Sequence, residues 1–476
     1  MLRQVALVLL TLIVGAAGGL AIVAGNPAVP FVAVVGLVAV PLVVTRPMAA
    51  MGLVVAAITL LPYAASPVRL AVLTPTLLEV GLLLLYVAWL LHALLNSGAG
   101  LRRTPIDLWL VLFLGSTLFA LVLGLGRDAS TEVVHNYFKL MLGVGIFFGV
   151  VNVIRTPQQV AMLMRTIIVL GGVAALVGMV LWRLPDGTAS GLLSRLAIIG
   201  YPTDRVIRYV EDNPALGERA VGTQVDPNSF GGMLVVIAVL TGVQLLARKP
   251  LLPRWLLAGM LAVDVGTLLL TQSRSALGGL VVAGVLIGTM RHRRLWVWGV
   301  VAVVLVLALG LGSGYLARLG AGLRFEDQAS LMRLAEYRNA LDIIGRYPAF
   351  GVGFGTAGEL RFTTGVSSIY LTIAERTGLT GLTLFLITLF VFFRNALPSI
   401  VASRKLAPER GSESEREWSV VDTTLLGCTA AAMGVLFLSV VDHYYFNIEF
   451  PHMAALFWMV VGLGLVARRM ILGREW

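Results

Sequence analysis

Arginines at the ends of apolar runs, each with carboxylates or hydroxyls nearby in the chain, are the residues here that could do chemistry. Arg219 opens the stretch Arg219-Ala220-Val221-Gly222-Thr223, which is followed by Asp226-Pro227-Asn228. Thr271-Gln272-Ser273-Arg274-Ser275 forms a polar knot between two apolar runs. Arg333 and Arg338 lie on a segment where Leu331, Leu334, Leu341 and Ile344 recur at helical spacing. Glu375-Arg376 follows within the apolar run that begins at Ser367-Ser368. A guanidinium is a planar, permanently charged fork that grips phosphate oxygens in pairs, which lysine cannot do. Lysine occurs only at Lys139, Lys249 and Lys405, so nearly all the positive charge is of the fork kind.

The elements that must carry these residues are membrane helices. Of 476 residues, 58% are hydrophobic and 13% charged, more apolar surface than a water-facing domain can hide. Apolar runs fall at 4–23, 30–45, 48–66, 71–95, 105–124, 131–153, 160–182, 229–247, 255–271, 275–290, 295–312, 367–393, 421–441 and 453–467. The chain therefore reads as an all-α polytopic bundle of about 12–14 transmembrane helices. The runs at 30–45 and 275–290 are short and could be tilted or re-entrant. With the N-terminus inside, Arg46, Arg102-Arg103, Arg155, Arg248-Lys249, Arg291-Arg293-Arg294 and Arg468-Arg469 all fall on the cytoplasmic side. Both termini are then cytoplasmic, and most of the net charge of +11 reflects topology rather than a nucleic-acid partner. Metal-binding Cys/His spacing is absent, and the single Cys428 excludes an intrachain disulfide.

This topology divides the chain into N-terminal helices over 1–182, a core over 183–393, a cytoplasmic linker over 394–420 and C-terminal helices over 421–476. The core holds two long outer loops, 183–228 and 313–366, the second containing an amphipathic helix capped by Ser330 and ended by Gly345 and Pro348. Each constellation also has a plainer reading. Asp226-Pro227-Asn228 signals a capped helix start, with Asn228 or Ser229 as the cap. Arg274 can snorkel, and Arg333 and Arg338 can belong to an ordinary interfacial helix. Glu375-Arg376 can neutralise itself, and the tyrosines of Asp442-His443-Tyr444-Tyr445-Phe446-Asn447 fit an interfacial aromatic belt. Gly351-Val352-Gly353-Phe354-Gly355 follows a helix rather than opening one, which favours close backbone packing over nucleotide binding. His135 and Lys139, at the outer end of their run, are further candidates.

The order of these motifs carries a resemblance. Asp-Pro-Asn at a helix start, Thr-Gln-Ser-Arg-Ser between two spans, Arg-x-x-x-Tyr-Arg-Asn-Ala-Leu before Pro-x-x-Gly-x-Gly-x-Gly, and Glu-Arg-Thr-Gly-Leu-Thr-Gly-Leu together resemble the O-antigen ligase and O-antigen polymerase superfamily over residues 219–386. The resemblance implies a GT-C-like glycosyltransferase of the bacterial inner membrane, active on the extracytoplasmic face, without metal or cofactor. It would move glycan from an undecaprenyl-diphosphate carrier to an acceptor glycan or glycolipid. By family position, Arg219, Arg274, Arg333 and Arg338 would bind the diphosphate, which agrees with the chemistry of the arginine fork. Where family members carry a His-Asn pair, this chain has Ser367 and Ser368. Serine is no base near neutral pH, so Asp226, Glu375 and His443 stand as catalytic candidates. The competing function is transport of an anionic solute, with the arginines as a vestibule. That reading expects repeat symmetry and charges at mid-membrane, whereas these charges cluster at the outer boundary.

Overall fold

The computed structural model describes residues 46–65, 74–95, 101–126, 130–203, 206–297, 299–300, 320, 324, 328–354, 366–409, 411–412 and 414–473. The runs expected at 4–23 and 30–45, and most of that at 295–312, lie outside the described residues, as do most of 313–327 and all of 355–365.

Among the described residues the helices are α1 (Pro47–Leu60), α2 (Leu77–Leu95), α3 (Asp107–Leu125), α4 (Thr131–Val153), α5 (Pro157–Arg183), α6 (Asp186–Ser194), α7 (Pro227–Leu245), α8 (Arg254–Leu270), α9 (Arg274–Met290), α10 (Gln328–Arg346), α11 (Ile369–Ser403), α12 (Glu415–Leu438) and α13 (Pro451–Leu472). Eight of them, α2, α3, α4, α5, α7, α11, α12 and α13, are long and apolar enough to cross a membrane. The chain is an all-α, multi-pass membrane protein.

Burial separates the bundle into centre and periphery. The apolar windows of α7, α12 and α13 are each 83% buried within the protein, against 33% for α2 and α3, which present Leu83, Leu90, Leu108, Val111, Leu118 and Phe119 outward. Helices that are apolar all round must have either protein or lipid on every face. Here α13 lies along α4 and α12, α7 packs on α8 and α12, α3 on α11, and α1 on α2 and α5. The short run at 275–290 is a continuous helix, α9, packed lengthwise on α12. Their backbones meet where a side chain on Gly279 would stand 2.7 Å from the carbonyl oxygen of Gly434, so a small-residue seam brings them together.

The helix ends away from Arg219 and Asp442 are closed by several of the remaining basic residues. Arg291 pairs with Asp422 at 2.6 Å and reaches Ser403 at 2.8 Å, while Arg468 donates to Ser399 and Arg469 to the carbonyl of Ile154. Lys249 stands 3.6 Å from Glu415. These groups are spent on holding helix termini.

The expected linker over 394–420 is much shorter than its composition suggests. α11 continues through Pro398 to Ser403, and α12 starts at Glu415. Leu397, Ile400 and Val401 extend the apolar pattern, Ile400 is buried, and Arg468 donates to the carbonyl of Asn395. Tertiary contacts thus keep this stretch helical despite Arg394, Asn395 and Pro398.

Candidate functional site

Three local structures bring polar groups together at one end of the bundle. The first is a two-stranded ribbon, β1 (Arg208–Tyr209) against β2 (Glu218–Arg219). Trp182 Nε1 donates to the Glu218 carbonyl at 3.1 Å, and the Ala220 amide donates to the carbonyl of Leu270 at 3.0 Å. This ties the ribbon to the ends of α5 and α8. Arg219 then points its Nε at the carbonyl of Thr271 (2.8 Å) and one terminal nitrogen at Asn228 Oδ1 (2.5 Å).

The second is the start of α7. Asp226, rather than Asn228 or Ser229, is the cap: its Oδ1 accepts from the amides of both residues at 2.8 Å. Pro227 requires an extended residue before it, and Asp226 at φ −122° and ψ 129° supplies that conformation. Asn228 is thereby left with its side chain turned to Arg219. The third is the turn between α8 and α9. Gln272 takes a left-handed conformation at φ 53°, and Ser273 caps α9. Ser275 Oγ lies 3.0 Å from Ser273 Oγ and donates to Asp442 Oδ2.

Asp442 is the centre of this arrangement. It is 3% exposed, accepts from Ser275 and stands 3.7 Å from a terminal nitrogen of Arg333. Burial pushes its carboxyl up to about 6, against the opposing pull of Arg333 and Ser275. Arg219, Asp226 and Arg333 are near enough for their charges to act on one another or on Asp442. Tyr444 hydrogen-bonds to Asn228 and Asp226 and stacks edge-on to Phe450 with ring centres 4.6 Å apart. Tyr444 and Tyr445 are therefore buried (8% and 2% exposed) and do not form an interfacial belt. Their rings pack inward, where Phe450 and Phe457 offer apolar partners. His443 stands beside the cluster, its Nδ1 2.7 Å from Asn447 Nδ2, and desolvation lowers it to about 4, so it is neutral at physiological pH.

The amphipathic helix α10 brings Arg333 here. It runs from Gln328, so Ser330 lies within it as a buried residue rather than capping it. One turn beyond Arg333, Tyr337 Oη lies 2.9 Å from the Ser367 carbonyl and 3.2 Å from that of Val440. Glu336 accepts from the Ser367 amide at 3.0 Å. These contacts dock α10 on the start of α11 and hold Ser367 by its backbone. Ser367→Ala should accordingly leave the protein's activity and melting temperature near wild type, within about threefold in rate, because its hydroxyl makes none of these bonds. A drop of two orders of magnitude would instead make that hydroxyl part of the chemistry.

The remaining sequence candidates are distributed differently. Arg338 is exposed on α10, roughly 140° around the helix from Arg333 by helical geometry. Arg274 is the first residue of α9 and half-buried, while the contacts that define the cluster run through its neighbour Ser275. Glu375 lies further along α11, buried and ion-paired with Arg376 at 3.6 Å. His135 and Lys139 form a separate buried group around Glu79, at 2.8 and 3.8 Å from its carboxylate oxygens.

Glu375-Arg376 marks a break in α11. Gly378 adopts φ 70° and ψ −177°, and the helix resumes after it. The carbonyls of Glu375 and Arg376 are taken up by the amides of Val352 and Gly353, both at 2.9 Å, and Leu379 donates back to Pro348 at 2.7 Å. The Gly-x-Gly segment is thus close backbone packing, spliced into a broken helix. Asp442, Asn228, Ser275 and Tyr444 are the members of the cluster that sequence reasoning left out. An acidic residue at the very start of a loop free of Lys and Arg was the signal that could have singled out Asp442. Among the described residues, no group of three or more His, Cys, Asp or Glu side chains converges as a metal site would require.

Residues 257–386 match the O-antigen ligase family. The matched stretch is a minority of the chain. It contains the Thr271–Ser275 turn, Arg333, Arg338 and the Glu375-Arg376 break, whereas Arg219, Asp226 and Asp442 meet it from outside. No curated protein matches the chain.

Proposed function

We propose that this chain, whose residues 257–386 match the O-antigen ligase family, transfers glycan from an undecaprenyl-diphosphate carrier to an acceptor sugar hydroxyl. The transfer takes place at the extracytoplasmic face of the bacterial inner membrane, with both chain termini on the cytoplasmic side. The observation that carries this reading is the convergence of Arg219 and Arg333 on the buried carboxylate Asp442 at one end of the bundle.

The chemistry follows from the groups present. The acceptor oxygen attacks the anomeric carbon, the bond from that carbon to the diphosphate oxygen breaks, and the diphosphate leaves with the electron pair. Arg219 is held by Thr271 and Asn228, and Arg333 by α10's docking. Both are preorganised where negative charge grows on the leaving group, which is where fixed charge accelerates the step. The proton of the acceptor hydroxyl passes to a carboxylate. Asp226 spends one oxygen on two cap bonds, Glu375 lies further along α11 at its break, outside the cluster, and His443 is a weak base. Asp442, pushed up towards neutrality, is the group best matched to this role.

The test is binding of undecaprenyl diphosphate to the detergent-purified protein. Arg219→Gln and Arg333→Gln are each expected to weaken it by about 10- to 100-fold, the worth of a charge-assisted contact. Variants that fold normally and bind as tightly as wild type would remove the diphosphate site, and transport of an anionic solute would become the reading to pursue.

A further inference from the structure

The ribbon pairs Arg208 directly opposite Arg219, with Tyr209 opposite Glu218. Residues facing each other across an antiparallel pair project from the same face, with Cβ atoms about 4.5–5.5 Å apart. Two guanidinium stems therefore rise side by side from the face that carries Arg219 towards Thr271 and Asn228. Like charges in this register destabilise a ribbon. Tyr209 and Glu218 occupy the other face, where Tyr209 donates to Asp186 at 2.5 Å.

Among the described residues, Arg208 finds no partner that compensates for this placement. Its Nε is buried and has no hydrogen-bond partner among the described residues, and no described carboxylate pairs with it. A buried donor without an acceptor costs its full desolvation. Trp182, Leu270 and Gln272 fix the backbone of the strand opposite Arg208 through Glu218 and Ala220, so the register that sets Arg208 across from Arg219 is held in place. A polar group aimed from a rigid support, beside a like charge already in the site, calls for an anion from outside.

We propose that Arg208 is a second anion ligand, acting with Arg219 across the ribbon to grip phosphoryl oxygens of the diphosphate-bearing substrate. The ligand's identity rests on the function proposed above; the need for an anion rests on the ribbon alone. Bound phosphoryl oxygens neutralise both and complete the hydrogen bonding of Arg208 Nε.

The experiment is a thermal-shift titration of the full-length protein in detergent, with inorganic pyrophosphate and, separately, undecaprenyl diphosphate. Wild type is expected to be stabilised by both. Arg208→Gln should require about tenfold more pyrophosphate for the same shift, with Arg208→Lys intermediate. Its melting temperature without ligand should stay at or above that of wild type, because a like-charge pair has been removed. A merely structural arginine would behave the opposite way, with lower ligand-free stability and unchanged affinity, and that result overturns the proposal. If Arg208→Gln binds like wild type while Arg219→Gln loses affinity, Arg208 is no ligand but the diphosphate site stands. If wild type responds to pyrophosphate through Arg208 yet ignores undecaprenyl diphosphate, the ribbon is an anion site and the lipid-carrier reading falls.

Discussion

Asp442→Asn is expected to reduce glycan transfer by about 10²- to 10⁴-fold, the usual worth of a positioned general base. Asparagine fills the same space and its Oδ1 can replace one of the two carboxylate oxygens that face Ser275 and Arg333, but its Nδ2 cannot accept from the other, so a change in the loop and a loss of chemistry are both in play. The pH dependence separates the two. Wild-type activity should rise with pH through about 6, as the raised Asp442 carboxyl ionises. The sign is that of a desolvated acid: burial favours the neutral form, so the active carboxylate is populated only above its folded value and is lost as pH falls through it. The residual activity of Asp442→Asn should lack that limb. Measuring rate against pH for both proteins, at saturating donor, decides the matter. An unchanged limb in the variant would assign the titration to another group and return Asp226 or Glu375 to consideration. Glu218, which burial and Asp186 push up to about 7, is the other acid in this region able to produce such a limb. Its side chain lies on the opposite face of the ribbon from Arg219, so Glu218→Gln is expected to leave the limb in place.

What could be read in advance is what local sequence signals encode. The apolar runs of α4, α5, α7, α8 and α9 were placed to within a few residues because each is bounded by a polar cap or turn, such as Ser130, Thr156, Asp226 and Ser273. Arg219 and Arg333 were legible because a charge at the membrane boundary is costly without a purpose. Asp442 escaped because its significance is nonlocal. Its partners Ser275 and Arg333 are distant in the chain and meet it only once α9, α10 and the loop before α13 are assembled. The same holds for Arg208, whose pairing with Arg219 depends on a ribbon of two residues per strand, too short to leave any alternating pattern. Arg338 looked equivalent to Arg333, and only the docking of α10 through Tyr337 and Glu336 distinguishes the two faces of that helix. The break in α11 was hidden for a different reason. A lone glycine in an apolar helical run usually continues the helix, and nothing adjacent to Gly378 announces that another loop will enter there.

Gly378→Ala should test whether that break is required. At φ 70° and ψ −177° the residue occupies a region that essentially only glycine populates, and a side chain costs about 1–3 kcal/mol there from strain alone. Sterics add to this, because a Cβ on Gly378 would stand 2.3 Å from the carbonyl oxygen of Ala349 and 2.4 Å from its carbon, both backbone atoms with little freedom to yield. Regularising the helix would expel the 348–353 loop and leave its amides without the carbonyls of Glu375 and Arg376. That loop is the descending end of α10, so displacing it loosens the helix that presents Arg333 to Asp442. The expected result is a destabilisation of roughly 3 kcal/mol or more, in the range reserved for backbone strain combined with overpacking, together with a large loss of transfer activity. Gly345→Ala is the matched control. It lies in the same helix-and-loop unit, is exposed, and has no atom within 4 Å of where its Cβ would be. There, alanine should be neutral or stabilising by about 0.5–1 kcal/mol, as expected for glycine replaced within a helix. Melting temperature and transfer rate measured on the two variants side by side separate the explanations. If Gly378→Ala matches the control in both, the break is incidental and α11 can carry the site as a continuous helix. If it alone fails, the splice between α10 and α11 is what holds an arginine borne by a surface helix against a carboxylate buried in the bundle.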